Sequence, residues 1–198
     1  MYRKLILLLQ IFFINENIFA QDGKTLKESK VFFSSHFGLC KISGDLKENF
    51  SIGTQAMTGI EYRFNKHSSI VGELNFDGYG YKKNSNTFSF SGTVNNIPAT
   101  VFYKYTFGNK KLFPYVKLGV GIAKISAPQV TEKLGFTTIE NKSTIVAQAQ
   151  AALGLSYEFR KGYIVFAESA LQQYGKIKVL ENKTILVTAF RVGISTSL

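Results

Sequence analysis

In several segments of this chain, every second residue is apolar and the residues between are polar or small, and this alternation most constrains how the chain can fold. In residues 145–159, one parity is dominated by Ala, Leu, Ile, Tyr and Phe, whereas the other includes Gln148, Gln150, Gly154 and Glu158. Residues 114–124 repeat the pattern, with Leu118 on the apolar parity. Successive side chains of a β-strand point to opposite faces, so these segments predict strands whose two faces meet different surroundings.

Eight such segments follow one another, separated by turn-forming residues. They are 31–42, 50–64, 69–81, 93–107, 112–126, 144–159, 163–174 and 184–197. The connections alternate between short ones and long polar ones. The short connections are 65–68, 108–111 and 160–162; the long ones lie near 43–49, 82–92, 127–143 and 175–183. This layout predicts an all-β fold, an eight-stranded antiparallel up-and-down transmembrane β-barrel over residues 30–198, with the short turns and both chain ends in the periplasm.

The amino-terminal segment predicts export. Arg3 and Lys4 precede an apolar run of about ten residues, too short to span a bilayer as a helix, and small Ala20 follows. We therefore predict a signal peptide over residues 1–20, cleaved near Ala20, and a flexible lead-in over 21–29. The destination is the outer membrane of a Gram-negative cell.

Aromatic residues cluster near the predicted connections. Tyr and Phe are enriched where strands leave a membrane, so they predict two girdles around the barrel. The set beside the short turns is Tyr62, Phe64, Tyr105, Phe107, Phe113, Phe159 and Tyr163; the looser set beside the long connections is Phe50, Tyr79, Tyr81, Phe88, Phe90 and Tyr174.

The opposite face mixes small and amide residues with about one charge per strand. The charged candidates are Glu61, Arg63, Glu73, Lys104, Lys117, Glu158, Glu168 and Arg191. An eight-stranded barrel is only wide enough for side chains to fill, and buried charges must pair, so we expect a polar network that plugs the lumen. A soluble lipocalin-like carrier is the rival barrel and would invert the two faces.

The segment from Phe113 to Ala123 resembles the "PYxxxGxG" strand that follows a short turn in small outer-membrane barrels, and residues 188–194 resemble their final strand. On these motifs the chain resembles the superfamily of the OmpA transmembrane domain, OmpX and the "porin family" proteins of Bacteroidota. The resemblance covers residues 30–198 and implies insertion by the barrel-assembly machinery. Such chains often end on an aromatic residue, whereas this one ends on apolar Leu198.

No pattern of catalytic, metal-binding or cofactor-binding residues stands out. His67 falls in a predicted periplasmic turn, and His36 falls on the small-residue face of the first strand, where a triad with Ser35 or Asp77 lacks supporting spacing. The single cysteine, Cys40, excludes an intrachain disulfide. We predict a non-enzyme without metal or cofactor.

The formal net charge is +11, yet the lysines are scattered without the dense tract typical of nucleic-acid binding. Lysines in the predicted extracellular loops are candidates for contacts with lipopolysaccharide phosphates. They are Lys82, Lys83, Lys176 and Lys178. The leading hypothesis is a monomeric barrel with a structural or interaction role through its loops. The alternatives are a narrow pore for small solutes and, further off, a lipid-modifying enzyme at the rim or the soluble carrier.

Overall fold

A computed structural model of the chain describes residues 30–44, 47–84, 89–108, 111–133, 136–177, 180 and 183–198. The predicted signal peptide and lead-in, residues 1–29, lie outside these residues. No helix within the described ranges is long and apolar enough to cross a membrane.

Eight antiparallel strands form one closed barrel in sequential order, as the alternation predicted. Their bounds are β1 Val31–Ser43, β2 Gly53–Arg63, β3 Ser68–Asn84, β4 Ser89–Thr106, β5 Leu112–Lys133, β6 Phe136–Arg160, β7 Tyr163–Ile177 and β8 Lys183–Ser197. A 3₁₀ turn, Lys47–Asn49, lies between β1 and β2. The ring closes where β1 pairs with β8, for example at Gly38↔Arg191.

Short connections join β2 to β3, β4 to β5 and β6 to β7, at what we call the turn end of the barrel. The Asn65 Oδ1 atom accepts hydrogen bonds from the backbone N–H groups of His67 (2.8 Å) and Ser68 (2.9 Å), a local pairing typical of Asn in turns. Gly108 and Gly162 have φ angles of 83° and 80°, a region that favours glycine.

At the opposite end, which we call the hairpin end, two connections predicted as long loops are mostly strand. β3 and β4 remain paired up to Asn84↔Ser89, and β5 and β6 remain paired up to Lys133↔Phe136. The expectation of loops over 82–92 and 127–143 was therefore wrong. Two adjacent strands satisfy each other's backbone groups beyond the barrel wall, so charged residues and Pro128 did not end the pairing.

The β5–β6 hairpin reaches furthest. The last described pair between β5 and β4 is at Ser126, and β6 begins its pairing with β7 at Gln148. Residues 127–133 and 136–142 therefore form a two-stranded ribbon that pairs with neither flanking strand in the described register. At about 3.3 Å per residue, the ribbon projects on the order of 20 Å or more beyond the wall.

The exposed fractions confirm the two predicted faces. Leu118, Val120 and Ile122 are 64%, 69% and 58% exposed on the outer wall, whereas Lys117 and Gln150 are buried in the lumen. Outward aromatic residues gather at the turn end and touch one another in pairs. The ring pairs are Tyr62–Phe64, Tyr105–Phe107 and Phe159–Tyr163.

Four predicted girdle residues point inward instead. They are Phe113, Tyr79, Tyr81 and Tyr174. Tyr79 shares its strand parity with Glu73 and Asp77, and parity rather than residue type decides which face a side chain occupies. Phe88 and the side chain of Phe90 lie outside the described residues.

Candidate functional site

The lumen near the turn end holds an ion-pair group centred on Glu61, which we call the lower group. Arg63 Nε donates to Glu61 Oε1 and Lys104 Nζ donates to Glu61 Oε2, each at 2.8 Å. Arg63 and Glu61 are two residues apart on β2 and therefore share its inner face, while Lys104 lies on β4, the next strand but one in the ring. Arg63 also lies 3.7 Å from the centroid of the Phe32 ring.

A central group lies deeper in the lumen, built around Glu168. Lys117 Nζ contacts Glu73 at 2.6 Å and Glu168 at 2.8 Å, and Arg191 Nη1 donates to Glu168 at 3.0 Å. The Tyr115 hydroxyl donates to Glu168 at 3.0 Å. Arg191 is fully buried, and its charge is compensated because Glu168 lies directly opposite it in the β7–β8 register.

Amide and hydroxyl groups fill the next level towards the hairpin end. Asn96 Nδ2 donates to Asp77 at 3.0 Å and contacts the Tyr174 hydroxyl at 2.8 Å; that hydroxyl donates to Gln172 at 2.9 Å. Arg191 Nε reaches this level by donating to Gln55 Oε1 at 2.9 Å. The amide and hydroxyl groups of this level and the central ion pairs therefore form one continuous network.

An apolar cluster closes the lumen at the hairpin end, and we call it the apolar cap. Its members are supplied by strands from all round the ring and are almost fully buried. They include Ile42, Tyr79, Val94, Ile125, Ile177, Leu180, Ile185 and Val187. Side chains thus fill the described lumen in three layers: ion pairs nearest the turn end, then amide and hydroxyl groups, then the apolar cap at the hairpin end.

Seven of the eight charged residues named from the sequence occur in these ion-pair groups. The exception is Glu158, which lies at the turn end and accepts a hydrogen bond from the Gly162 backbone N–H at 2.9 Å. Sequence reasoning did not include in the lumen network the polar residues of the level between the groups and the cap. They are Gln55, Asp77, Asn96, Gln150, Gln172 and Tyr174. Their signal was available, because each shares the inner parity of its strand.

Lysines occupy the outer wall at the hairpin end. Lys82 and Lys176 are exposed there, but they lie on β3 and β7 rather than in loops. Lys41 on β1 and Lys124 on β5, which the sequence analysis did not single out, are exposed on the same wall. Lys83 lies on β3 but its side chain is outside the described residues, as is all of Lys178.

The geometry gives no support to a triad at His36. Ser35 is exposed on the outer wall, while the neighbouring His36 points into the lumen, where its ring meets Phe166 edge-on at 5.3 Å. Within the described ranges, no group of three or more His, Cys, Asp and Glu side chains is arranged to hold a metal ion.

Solved structures share this architecture. Neisserial surface protein A superposes with a TM-score of 0.62 at 14% identity, covering 86% of this chain and 98% of that chain. Ail, the attachment invasion locus protein of Yersinia pestis, in complex with the heparin analogue sucrose octasulfate, gives 0.55 at 16% identity, covering 86% and 99%. The outer membrane protein OprG from Pseudomonas aeruginosa gives 0.54 at 12% identity, covering 85% and 96%.

The chain has the fold of the small outer-membrane β-barrels. No protein-family model matches the sequence, and no curated protein matches it either. At 12–16% identity, the outer-membrane barrel fold is shared while the side chains have diverged. The ion-pair groups and the apolar cap are therefore described from this chain's own residues.

Proposed function

We propose that this chain is an integral outer-membrane β-barrel with a non-enzymatic structural or interaction role, exerted through its hairpin end outside the cell. One observation carries the proposal: the outer wall is apolar and the charges lie in the lumen. A barrel surrounded by lipid needs this arrangement, whereas a soluble carrier needs the reverse. The aromatic ring pairs at the turn end fit a membrane–water boundary on the periplasmic side.

The proposal includes the route to the membrane. The signal peptide directs export and is removed near Ala20, and the barrel-assembly machinery inserts the folded strands. The lumen needs neither metal nor cofactor for this role, because its charges neutralise one another directly.

A closed lumen favours the interaction role over a channel. Glu168 and Arg191 are fully buried at the centre of the lumen, and the apolar cap lies between them and the hairpin end. A hydrated ion would have to displace the ion pairs and the apolar cap to pass. The narrow pore remains the second candidate, and conductance separates the two.

We also propose that outward lysines contact phosphate groups of lipopolysaccharide. Lys41, Lys82, Lys124 and Lys176 lie on β1, β3, β5 and β7, so each strand that runs towards the hairpin end carries one of them near that end. An ammonium group at this height meets the headgroups of the outer leaflet, where attraction to an anionic surface is worth about 1 kcal/mol per lysine. Within its own membrane the barrel is a monomer in this arrangement.

The first test is cell fractionation followed by gel electrophoresis of unheated and heated samples. A closed barrel in the outer-membrane fraction runs faster before heating than after, and its reconstitution in planar bilayers gives no steady conductance. A single band from a soluble fraction contradicts the membrane role. Discrete channels in the purified protein would replace the interaction role by the pore.

A further inference from the structure

Among the residues that the structure describes, no strand pairs with one edge of β6 over a long stretch near the hairpin end. Residues 136–147 pair with β5, but the described β6–β7 pairing begins only at Gln148↔Tyr174. The Ala147 carbonyl lies against Gly175 of β7, so the open part of the edge is residues 136–144. Every second residue of an antiparallel strand directs its N–H and C=O groups away from its partner, so this part presents a row of backbone groups about 30 Å long. Such an edge is a template for another strand.

The side chains along this edge favour strand pairing. Residues 136–144 are rich in β-branched residues, including Thr137, Ile139 and Thr144, and contain no proline. Ile139 is 56% exposed. Proteins commonly protect such edges with proline or with charged side chains. This edge has no proline, and its two charged residues, Glu140 and Lys142, are of opposite sign.

The charges at the centre of the edge are complementary to themselves. Glu140 and Lys142 flank Asn141, and all three are exposed. When two copies of this edge pair antiparallel about a two-fold axis through Asn141, Glu140 of each copy lies directly opposite Lys142 of the other. Opposite charges facing each other across strands are stabilising, and a two-fold axis supplies the contact twice. Parallel in-register pairing would instead place like charges side by side.

The strand direction determines where the second copy lies. In every copy within one membrane, β6 runs from the hairpin end towards the turn end. An antiparallel neighbour must therefore be upside down, with its hairpin end facing that of the first copy. We infer that the β6 edge pairs with the same edge of a second copy held in an opposing membrane, which makes the chain a homophilic contact between cells. This inference rests on the outer-membrane orientation proposed above.

The experiment uses the full chain, refolded into two populations of lipid vesicles that carry different fluorescent lipids. Heat-modifiability and flotation with the vesicles first establish that the barrel is inserted; their failure would count against the proposed function itself. With inserted wild-type protein, we expect the two populations to aggregate together. Inserted barrels that leave the vesicles dispersed would overturn the homophilic contact alone.

Charge reversal tests the register. Glu140→Lys or Lys142→Glu alone places like charges at both facing positions, so aggregation should fall to the level of protein-free vesicles. Mixing vesicles bearing Glu140→Lys with vesicles bearing Lys142→Glu restores opposite charges at both positions and should restore aggregation. Unchanged aggregation of the single variants, or no rescue in the mixture, rules out this pairing.

A cross-link tests the two-fold axis independently. In a Cys40→Ala background, Asn141→Cys places two thiols opposite each other at the axis, and mild oxidation should link a tagged copy in one population to an untagged copy in the other. Ser143→Cys is the matched control, because in this register Ser143 faces Ile139 and not itself. Equal cross-linking of both variants would contradict the assigned axis.

Discussion

At the scale of single residues, the lumen is the part of the molecule where each side chain counts. Glu168 contacts Lys117, Arg191 and Tyr115 within 3.0 Å, so one carboxylate pairs with two buried cations. The second negative charge comes from Glu73, which contacts Lys117 at 2.6 Å. Removing one partner of a buried pair leaves a charge without compensation in a place that water does not reach. The consequences of substitution are therefore larger here than on the rim.

We predict that Glu168→Gln lowers the free energy of unfolding by about 3 kcal/mol or more, because Lys117 and Arg191 lose their shared carboxylate. Urea unfolding in detergent micelles measures the change. Lys66→Gln, in an exposed turn, is the control and should change it by less than about 0.5 kcal/mol. A Glu168→Gln variant as stable as the wild type would show that the central group contributes little.

The space around two glycines, Gly121 and Gly72, leads to a second prediction at this scale. A methyl group at Gly121 would meet the backbone oxygen of Ala99, which cannot rotate away, whereas a methyl group at Gly72 would meet open space. Gly121→Ala should therefore cost on the order of 1–3 kcal/mol, and Gly72→Ala should be neutral or slightly stabilising. Unfolding midpoints of the two variants under identical conditions check this ordering.

Sequence parity located the lumen charges, but it could not say which ones touch. Lys117 and Glu168 lie on β5 and β7, two strands apart in the ring, and no spacing along the chain indicates that their side chains meet. The inward tyrosines were misjudged for a different reason. Aromatic rings suit both a membrane boundary and a filled lumen, so residue type misled at Tyr79 and Tyr174, where parity alone would have been right.

At the scale of the strands, each one is defined by what its two faces meet. The outer positions of β5 stay apolar from Leu112 up to Ile122 and then change to Lys124 and Ser126. That change marks where the apolar band ends, well before the strand itself ends at Lys133. The strand continues because β6 supplies its backbone hydrogen-bond partners. The pattern of apolar residues in the sequence gives no sign of this pairing.

A charge within the apolar band should be poorly tolerated. Val120→Arg places a guanidinium at the middle of the outer wall and should cost about 2–4 kcal/mol in a lipid bilayer, while Thr93→Arg near the hairpin end should cost about 1 kcal/mol or less. The folded fraction in lipid vesicles, read by heat-modifiability along a urea series, gives both values. Equal costs at the two positions would contradict a membrane around this band.

The ribbon should be dispensable for the barrel. Replacing residues 128–141 by Asn-Gly joins Ala127 to Lys142, which already pair, by a favoured two-residue turn. Because the removed residues pair only with one another in the described register, heat-modifiability should be retained. Loss of the folded band would show that the ribbon supports the wall.

At the scale of the whole molecule, the alternation of short and long connections fixed the topology. An even number of strands with short turns at one end predicted a closed ring, and the described pairing confirms it through β1 and β8. The lengths of the connections did not predict how far the strands continue beyond the apolar band, and they did not predict the apolar cap. The cap assembles from single residues on many strands, so no local window of sequence contains it.

The proposed orientation predicts which positions a reagent outside the cell can reach. Glu48→Cys lies at the hairpin end and Lys66→Cys at the turn end, and both replace exposed residues. A maleimide that cannot cross membranes should label the first in intact cells, and label the second only after lysis. The native Cys40 is 2% exposed and gives little background. The reverse labelling pattern would show that the turn end, and not the hairpin end, faces outside the cell.

The seam between β1 and β8 imposes an order of events on folding. The Leu198 N–H donates to the Val31 carbonyl at 2.9 Å, so a hydrogen bond joins the two ends of the described barrel. The second edge of β1 is therefore covered only once β8 is in place. Contacts this distant in sequence slow folding, and the barrel cannot form piecemeal during synthesis. Until β1 pairs with β8, the barrel has two unpaired strand edges, and the chain must be protected from aggregation.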